Sequence, residues 1–158
     1  MKFREYDFIE DPEKITKHLF TLFQGAEMIE KLREADLFFL DDPDNRKRFV
    51  VEVDAELHAT CVVLKENIGG SIGKYSLHSV VASEEYQGKG LAIYMIENIF
   101  SWVRDNGGRM VILSTEATNT RARKFYEKMG FLQYGVLPKG YKKNNDEYID
   151  EILYYIEL

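Results

Sequence analysis

Residues 84 to 95, EEYQGKGLAIYM, set Gly88 and Gly90 on either side of Lys89 and then run straight into a helical, mostly apolar stretch. Two glycines let a backbone approach a ligand closely, and the first turn of the helix presents N–H groups that have no intrahelical partner. The helix dipole favours negative charge at that end, so with Lys89 the segment could cradle an anion. It could also be a plain strand-to-helix turn. Two familiar phosphate motifs do not fit: a dinucleotide fingerprint needs a third small residue where this chain has Ile93. The run GGSIGKY, residues 69 to 75, ends in Gly73-Lys74 like a phosphate loop, but Ile68 stands where the first glycine belongs and Tyr75 replaces Ser or Thr. It reads as a hairpin turn.

Few other side chains offer chemistry. Cys61, the one cysteine, cannot form an internal disulfide or supply a cysteine-rich metal site, and its alternating surroundings read as core packing. The acidic DDPD at 41 to 44 reads as a solvated turn without matching ligands elsewhere, so no metal is expected. His78, within LHSVVA, has an ordinary pKa near ~6.5 that suits proton transfer, although a lone strand histidine is more often structural. Strand alternation would put His78 and Val80 on one face. His18 and His58 have no comparable placement.

The elements that must position these groups follow from periodicity and turn chemistry. KFREYDF reads as a short strand, and Asp11-Pro12 opens a helix through EKITKHLFTLF, with AEMIEKLREADLF a second helix after Gly25. RFVVEV, ELHATCVVLKE and IGKYSLHSVVAS are rich in β-branched and aromatic residues and predict three antiparallel strands. Leu91, Met95, Ile99, Trp102 and Val103 recur at helical spacing from about Lys89 to Asn106, and Gly107-Gly108 stops that helix. RMVILS is a short buried strand. Asn119 caps a helix over TRARKFYEKM that Gly130 ends, and EYIDEILYYIEL is a final strand.

The chain of 158 residues carries 45% hydrophobic residues and no repeat or low-complexity linker, which predicts one α/β domain spanning 1 to 158. Its formal charge of −6 argues against nucleic acid as a partner. The charged amino terminus is no signal peptide, and no apolar run nears the ~20 residues of a membrane span. A soluble, cytoplasmic protein with no membrane partner is expected.

A longer pattern narrows the choice. YQGKGLAIYMI resembles the acetyl-CoA signature of the GNAT N-acetyltransferase superfamily, Arg/Gln-x-x-Gly-x-Gly/Ala, with Gln87, Gly90 and Ala92 in the defining places. About thirty residues on, NTRARKFYEKMGF resembles its second signature through Asn119, Ala122, Tyr126, Gly130 and Phe131. The resemblance covers about residues 48 to 135, with Gln87 for the commoner arginine and Ala92 for the commoner glycine. It implies a single-domain fold with a mixed, mostly antiparallel sheet of about six to seven strands, splayed central strands and flanking helices.

The resemblance also implies a reaction: a neutral primary amine attacks the thioester of acetyl-CoA directly, through a tetrahedral oxyanion. The cofactor's pantetheine would lie between the LHSVVA and VILS strands, against backbone groups near Val80, Val81 and Ala82, and its pyrophosphate on Gln87, Gly88, Lys89, Gly90, Leu91 and Ala92. Asn119 is a further contact, an N-cap, or both. Tyr126 matches the superfamily's usual acid, with an unperturbed phenol near ~10 that stays protonated at neutral pH. His78 resembles a histidine base of the arylalkylamine acetyltransferases, and a backbone N–H near Val80 or Val81 would serve the oxyanion. The acceptor site would draw on LFQGAEM and LPKGYKKNNDEY, where Gln24, Glu27 and Asp146 could meet a cation or be plain surface. A small amine or amino-acid derivative is the first expectation; a protein amino terminus or lysine, or a silent acyl-CoA-binding regulatory module, are the alternatives. A homodimer is compatible with the sequence.

Overall fold

A computed structural model describes residues 1–11, 41–66, 69–143 and 146–158. The two helices read between Pro12 and Phe39, together with His18, Gln24 and Glu27, lie outside the described residues.

The described strands are β1 (Lys2–Glu5), β2 (Arg46–Val53), β3 (Glu56–Glu66), β4 (Lys74–Ala82), β5 (Met110–Glu116), β6 (Leu132–Lys142) and β7 (Tyr148–Glu157), with helices α1 (Leu91–Asp105) and α2 (Thr120–Lys128). They form one seven-stranded sheet in the order β1-β2-β3-β4-β5-β7-β6. All neighbours are antiparallel except β4 and β5. That parallel pair follows from topology, since α1 crosses between the strands as a βαβ connection.

Every strand read from the sequence is present, but β6 has to be added. Residues 137 to 142, given above only as part of the expected acceptor site, belong to this edge strand. Its ladder with β7 is broken between Gln133 and Gly135 and again between Leu137 and Tyr141. Pro138 and Gly140 fall in the second break, where Lys139 takes a φ of 56° and its N–H is held by Asp150 Oδ1 at 2.9 Å. Proline and glycine are tolerated there because an edge strand can carry a bulge.

One face of the sheet carries the larger core. Met95, Ile96, Ile99 and Val103 of α1 are fully buried against Phe49, Val51, Ala59, Cys61, Val63, Tyr75 and Leu77 of β2 to β4, and Tyr126 and Phe131 join from α2 and its exit. Val50, Leu57 and Val81 lie on the other face with Tyr6 and Phe8. The helical spacing of the α1 side chains is therefore what fixes that helix, and the turn before it, to β4.

Candidate active site

The central feature is where β4 and β5 part. They pair only through Lys74–Met110, Tyr75–Val111 and Ser76–Ile112. Beyond that point β4 continues to Ala82 against β3, while β5 continues to Glu116 against β7. From Leu77 onward, then, the edge of β4 that faces β5 has no strand partner among the described residues. Backbone groups left open along a strand edge can bond an extended ligand laid beside it. The splay expected of the central strands is thus present, with Val80, Val81 and Ala82 along it.

The parity of β4 differs from simple alternation. Thr60 pairs with Val81 and Val62 with His78, so both Ser79 and Val80 stand opposite Cys61. Ser79 is the inserted residue of a bulge, with φ at 49°. Its insertion shifts the strand by one position. Val80 and Ala82 pack with the larger core, whereas His78 stays with Ser76 on the opposite face. The expectation that His78 and Val80 share a face is corrected accordingly.

A 3-10 turn, Glu84–Tyr86, links β4 to the glycine segment. Gly88 and Gly90 take φ of 71° and 83°, left-handed values that side chains rarely adopt, and among the described residues no atom beyond their chain neighbours lies within 4 Å of where a Cβ would project from either. Gly90 is the N-cap of α1 and, among the described residues, no side-chain hydrogen bond caps that helix end. The first-turn N–H groups at Leu91 and Ala92 are therefore left to whatever anion fills the open space above the glycines.

Two cations flank this turn. With its amide oxygen turned toward Arg121, Gln87 accepts from that guanidinium at 2.7 and 3.0 Å. Arg121 stands in the first turn of α2, where a positive charge opposes the helix dipole. That mismatch is the signal in the sequence that could have singled it out. Lys89 Nζ lies 5.4 Å from the centre of the Tyr86 ring.

Beneath Tyr86 lies His58, dismissed on sequence grounds but here 4% exposed and 4.6 Å from that ring. Ser83 Oγ donates to the His58 carbonyl at 3.2 Å, and the His58 Nδ1 lies 3.0 Å from Ser83 Oγ and 2.8 Å from Glu85 Oε1. Nδ1–H is therefore the donor, shared between the serine and the carboxylate. Glu56 lies 3.6 Å from the other ring nitrogen. His58 thus ties the β2–β3 hairpin to the start of the glycine turn.

Asn119 caps α2, its side chain accepting from the Ala122 N–H at 3.1 Å. Seven residues along the chain, Tyr126 is buried among Phe125, Phe131 and Tyr154. Its hydroxyl has no hydrogen-bond partner among the described residues. Burial pushes the phenol well above its ordinary pKa, and the neighbouring Cys61 and Tyr141 add to that shift. Cys61 is itself wholly buried, which drives its thiol far from ionisation against the opposing backbone N–H of His78. It is a packing residue beside the bulge.

On the opposite face, His78 Nε2 lies 3.0 Å from Ser76 Oγ, and Ser76 donates to Glu66 Oε1 at 2.7 Å. Partial desolvation lowers the His78 pKa, and the charge of Glu66 works against it. His78 is therefore neutral at pH 7. Asp146, offered above as an acceptor contact, instead pairs with Lys142 Nζ at 2.6 Å on the surface. DDPD forms a turn in which the Asp42 carbonyl accepts from Asn45 and Arg46 at 3.2 and 3.0 Å.

Known proteins share this fold. The sequence description of the acetyltransferase (GNAT) family matches residues 13–131. N-alpha-acetyltransferase 30 of Schizosaccharomyces pombe is 26% identical over 100 residues, covering 62% of this chain, and the chain spans 66% of that relative's length. Among solved structures, a chimeric spermidine N-acetyltransferase from Vibrio cholerae superimposes with a TM-score of 0.78 at 21% identity, over 99% of this chain and 96% of that one. An aminoglycoside 6'-N-acetyltransferase complexed with coenzyme A gives 0.74 at 18% identity, over 99% and 97%. At such identities the likeness is one of fold, while the sequence match covers most of the chain, including both glycine-turn and α2 signatures: the protein belongs to the GNAT family of acetyltransferases.

Proposed function

We propose that this protein transfers an acetyl group from acetyl-CoA to a primary amine, a small amine or amino-acid derivative, by direct attack in a ternary complex. The single observation that carries the reading is the placement of Tyr126 and His78. Tyr126 belongs to the core face, near Cys61, which stands opposite the β4 bulge, and His78 belongs to the opposite face of β4, just past its last pairing with β5. Direct transfer needs one group to take the amine's proton and another to protonate the departing sulfur, and these two side chains could serve from the two sides of the cleft.

The residues present fit the cofactor. The open space over Gly88 and Gly90 and the uncapped start of α1 suit a pyrophosphate, with Lys89 and Arg121 as flanking cations and Gln87 orienting the latter. Val80, Val81 and Ala82 would meet its amide-bearing arm through their backbone, and Asn119 would add a contact at the mouth of α2. When bound, acetyl-CoA supplies the thioester. Tyr126, buried and protonated, gives its proton to the leaving sulfur. His78, neutral and open to solvent, takes a proton from the acceptor's ammonium group, directly or through one water. A backbone N–H at Val80 or Val81, beside the bulge, steadies the carbonyl oxygen.

A second reading, transfer to a protein amino terminus, is favoured by the relative named N-alpha-acetyltransferase 30. One experiment tests both. CoA release would be followed with spermidine, an aminoglycoside, single amino acids and short peptides bearing free amino termini. Turnover with spermidine, an aminoglycoside or single amino acids supports the first reading, and turnover confined to peptides the second. Calorimetry that detects no acetyl-CoA binding at high micromolar concentration would sink the whole proposal.

A further inference from the structure

The face of β4 that carries His78 also carries a hydrogen-bond chain which the family signatures do not contain. Ser76 has one hydroxyl proton, and it is donated to Glu66 Oε1 at 2.7 Å. Its oxygen can then only accept from His78 Nε2, 3.0 Å away. The proton of the neutral imidazole is consequently on Nε2, and Nδ1 holds the one ring lone pair, with no partner among the described residues. Ser76, the middle member, is 4% exposed and anchors the chain to the sheet, with Glu66 half-buried at one end and His78 open to solvent at the other. Three strand positions fix it: Glu66 at the end of β3, and Ser76 and His78 on one face of β4 before the bulge.

We propose that Ser76 and Glu66 are positioning residues for His78, selecting its Nε2–H tautomer and holding its ring so that Nδ1 is the atom that receives the acceptor's proton. The inference rests on the reading of His78 as the base. In the step itself, Nδ1 gains the proton that the ammonium group loses, the ring becomes an imidazolium, and both existing hydrogen bonds are kept. No proton travels along the chain. The charge of Glu66 favours the charged ring, as a carboxylate does for the histidine of serine hydrolases. Among the described residues Glu66 is the charged group that acts on the His78 ring.

The first test needs no substrate. Nitrogen-15 spectra of the free protein should show His78 as the Nε2–H tautomer, titrating below the ordinary histidine value. Glu66→Gln should move that titration to still lower pH, and Ser76→Ala should give a mixture of tautomers. Ser76→Thr, which keeps the hydroxyl, should retain the wild-type spectrum and serves as the control for folding of this buried site. With the best acceptor of the amine panel, Ser76→Ala should lower kcat about 10-fold, and Glu66→Gln should shift the acid limb of kcat/KM downward. Neither change should add to the defect of His78→Ala. Unaltered His78 spectra in both variants, or losses that persist undiminished in the His78→Ala background, would overturn the chain. A His78→Ala enzyme with a wild-type pH profile would overturn the base reading as well, whereas a defective His78→Ala enzyme beside normal Ser76→Ala and Glu66→Gln enzymes would remove only the chain.

Discussion

His78 and Val80, two positions apart in β4, lie on opposite faces of the sheet because Ser79 is inserted between them as a bulge. Had β4 alternated regularly through Ser79, Val80 would have turned to the face of Ser76 and His78, away from the core. With the bulge, the imidazole stays with Ser76 on the face away from the larger core while Val80 packs against that core.

Replacing His78 by Ala should therefore depress activity most near neutral pH and leave partial recovery at high pH, where more free amine is present. The wild-type acid limb should fall below ~6.5, since partial desolvation lowers the histidine pKa. Stability should follow the same sign. The folded state holds its proton less tightly than the unfolded one, so stability is full above ~6.5 and declines as pH falls from there through the lower folded value. His78→Ala should flatten that decline, as read by thermal melts across pH. A uniform activity loss at all pH values would instead mark a structural residue.

Tyr126→Phe keeps the ring that packs on Phe131 and Tyr154 but removes the hydroxyl. Turnover should fall on the order of 10²-fold, with acetyl-CoA affinity by calorimetry and the melting temperature nearly unchanged. Wild-type turnover would dismiss the general-acid assignment.

Gly90→Val acts on the cofactor instead. A β-branched residue at φ 83° is strained by about 1–3 kcal/mol, and its side chain would occupy the open space over the turn. Acetyl-CoA should bind at least ~10-fold more weakly, a cost of ~1.4 kcal/mol. Unchanged affinity would show that the ligand does not sit over Gly90.

Arg121→Ala should weaken acetyl-CoA binding several-fold, and the difference from wild type should shrink as salt rises, because the lost contact is ionic and near the surface. Rates at saturating cofactor should stay close to wild type. A defect in kcat alone would contradict the placement of Arg121 beside the turn.

His58→Ala removes a buried ring together with its contacts to Ser83 and Glu85. The expected loss is about 1–3 kcal/mol, seen as a Tm lower by roughly 3–10 °C. The KM for acetyl-CoA should rise, since the turn loses its anchor to the β2–β3 hairpin. A Tm drop with no change in KM would confine His58 to general stability.

How much of this was legible in the sequence depends on whether the cause is local. Gly88, Gly90 and the Asn119 cap act within one turn of chain, and their residue types announce them. The α1 stripe from Leu91 to Val103 is likewise periodic and was readable. β6 was not, because Gly135, Pro138 and Gly140 interrupt its alternation and only its pairing with β7 makes it a strand. The bulge was hidden for a different reason: Ser79 is an unremarkable residue whose left-handed φ is imposed by the neighbouring strand. His58 and Glu85, like Ser76 and Glu66, meet only after β3 and β4 have paired, so no local spacing connects them.

The join between β4 and β5 has a mechanical consequence. Three residue pairs hold β1 to β4 against β5 to β7 within the sheet, and beyond them the halves diverge. A ligand that bonds both lips of that divergence acts as a staple between two half-sheets, so its binding energy is also cohesion. Amide exchange along Leu77 to Ala82 and Leu113 to Glu116 should slow together when acetyl-CoA is added, as two leaves of one hinge closing on a common pin.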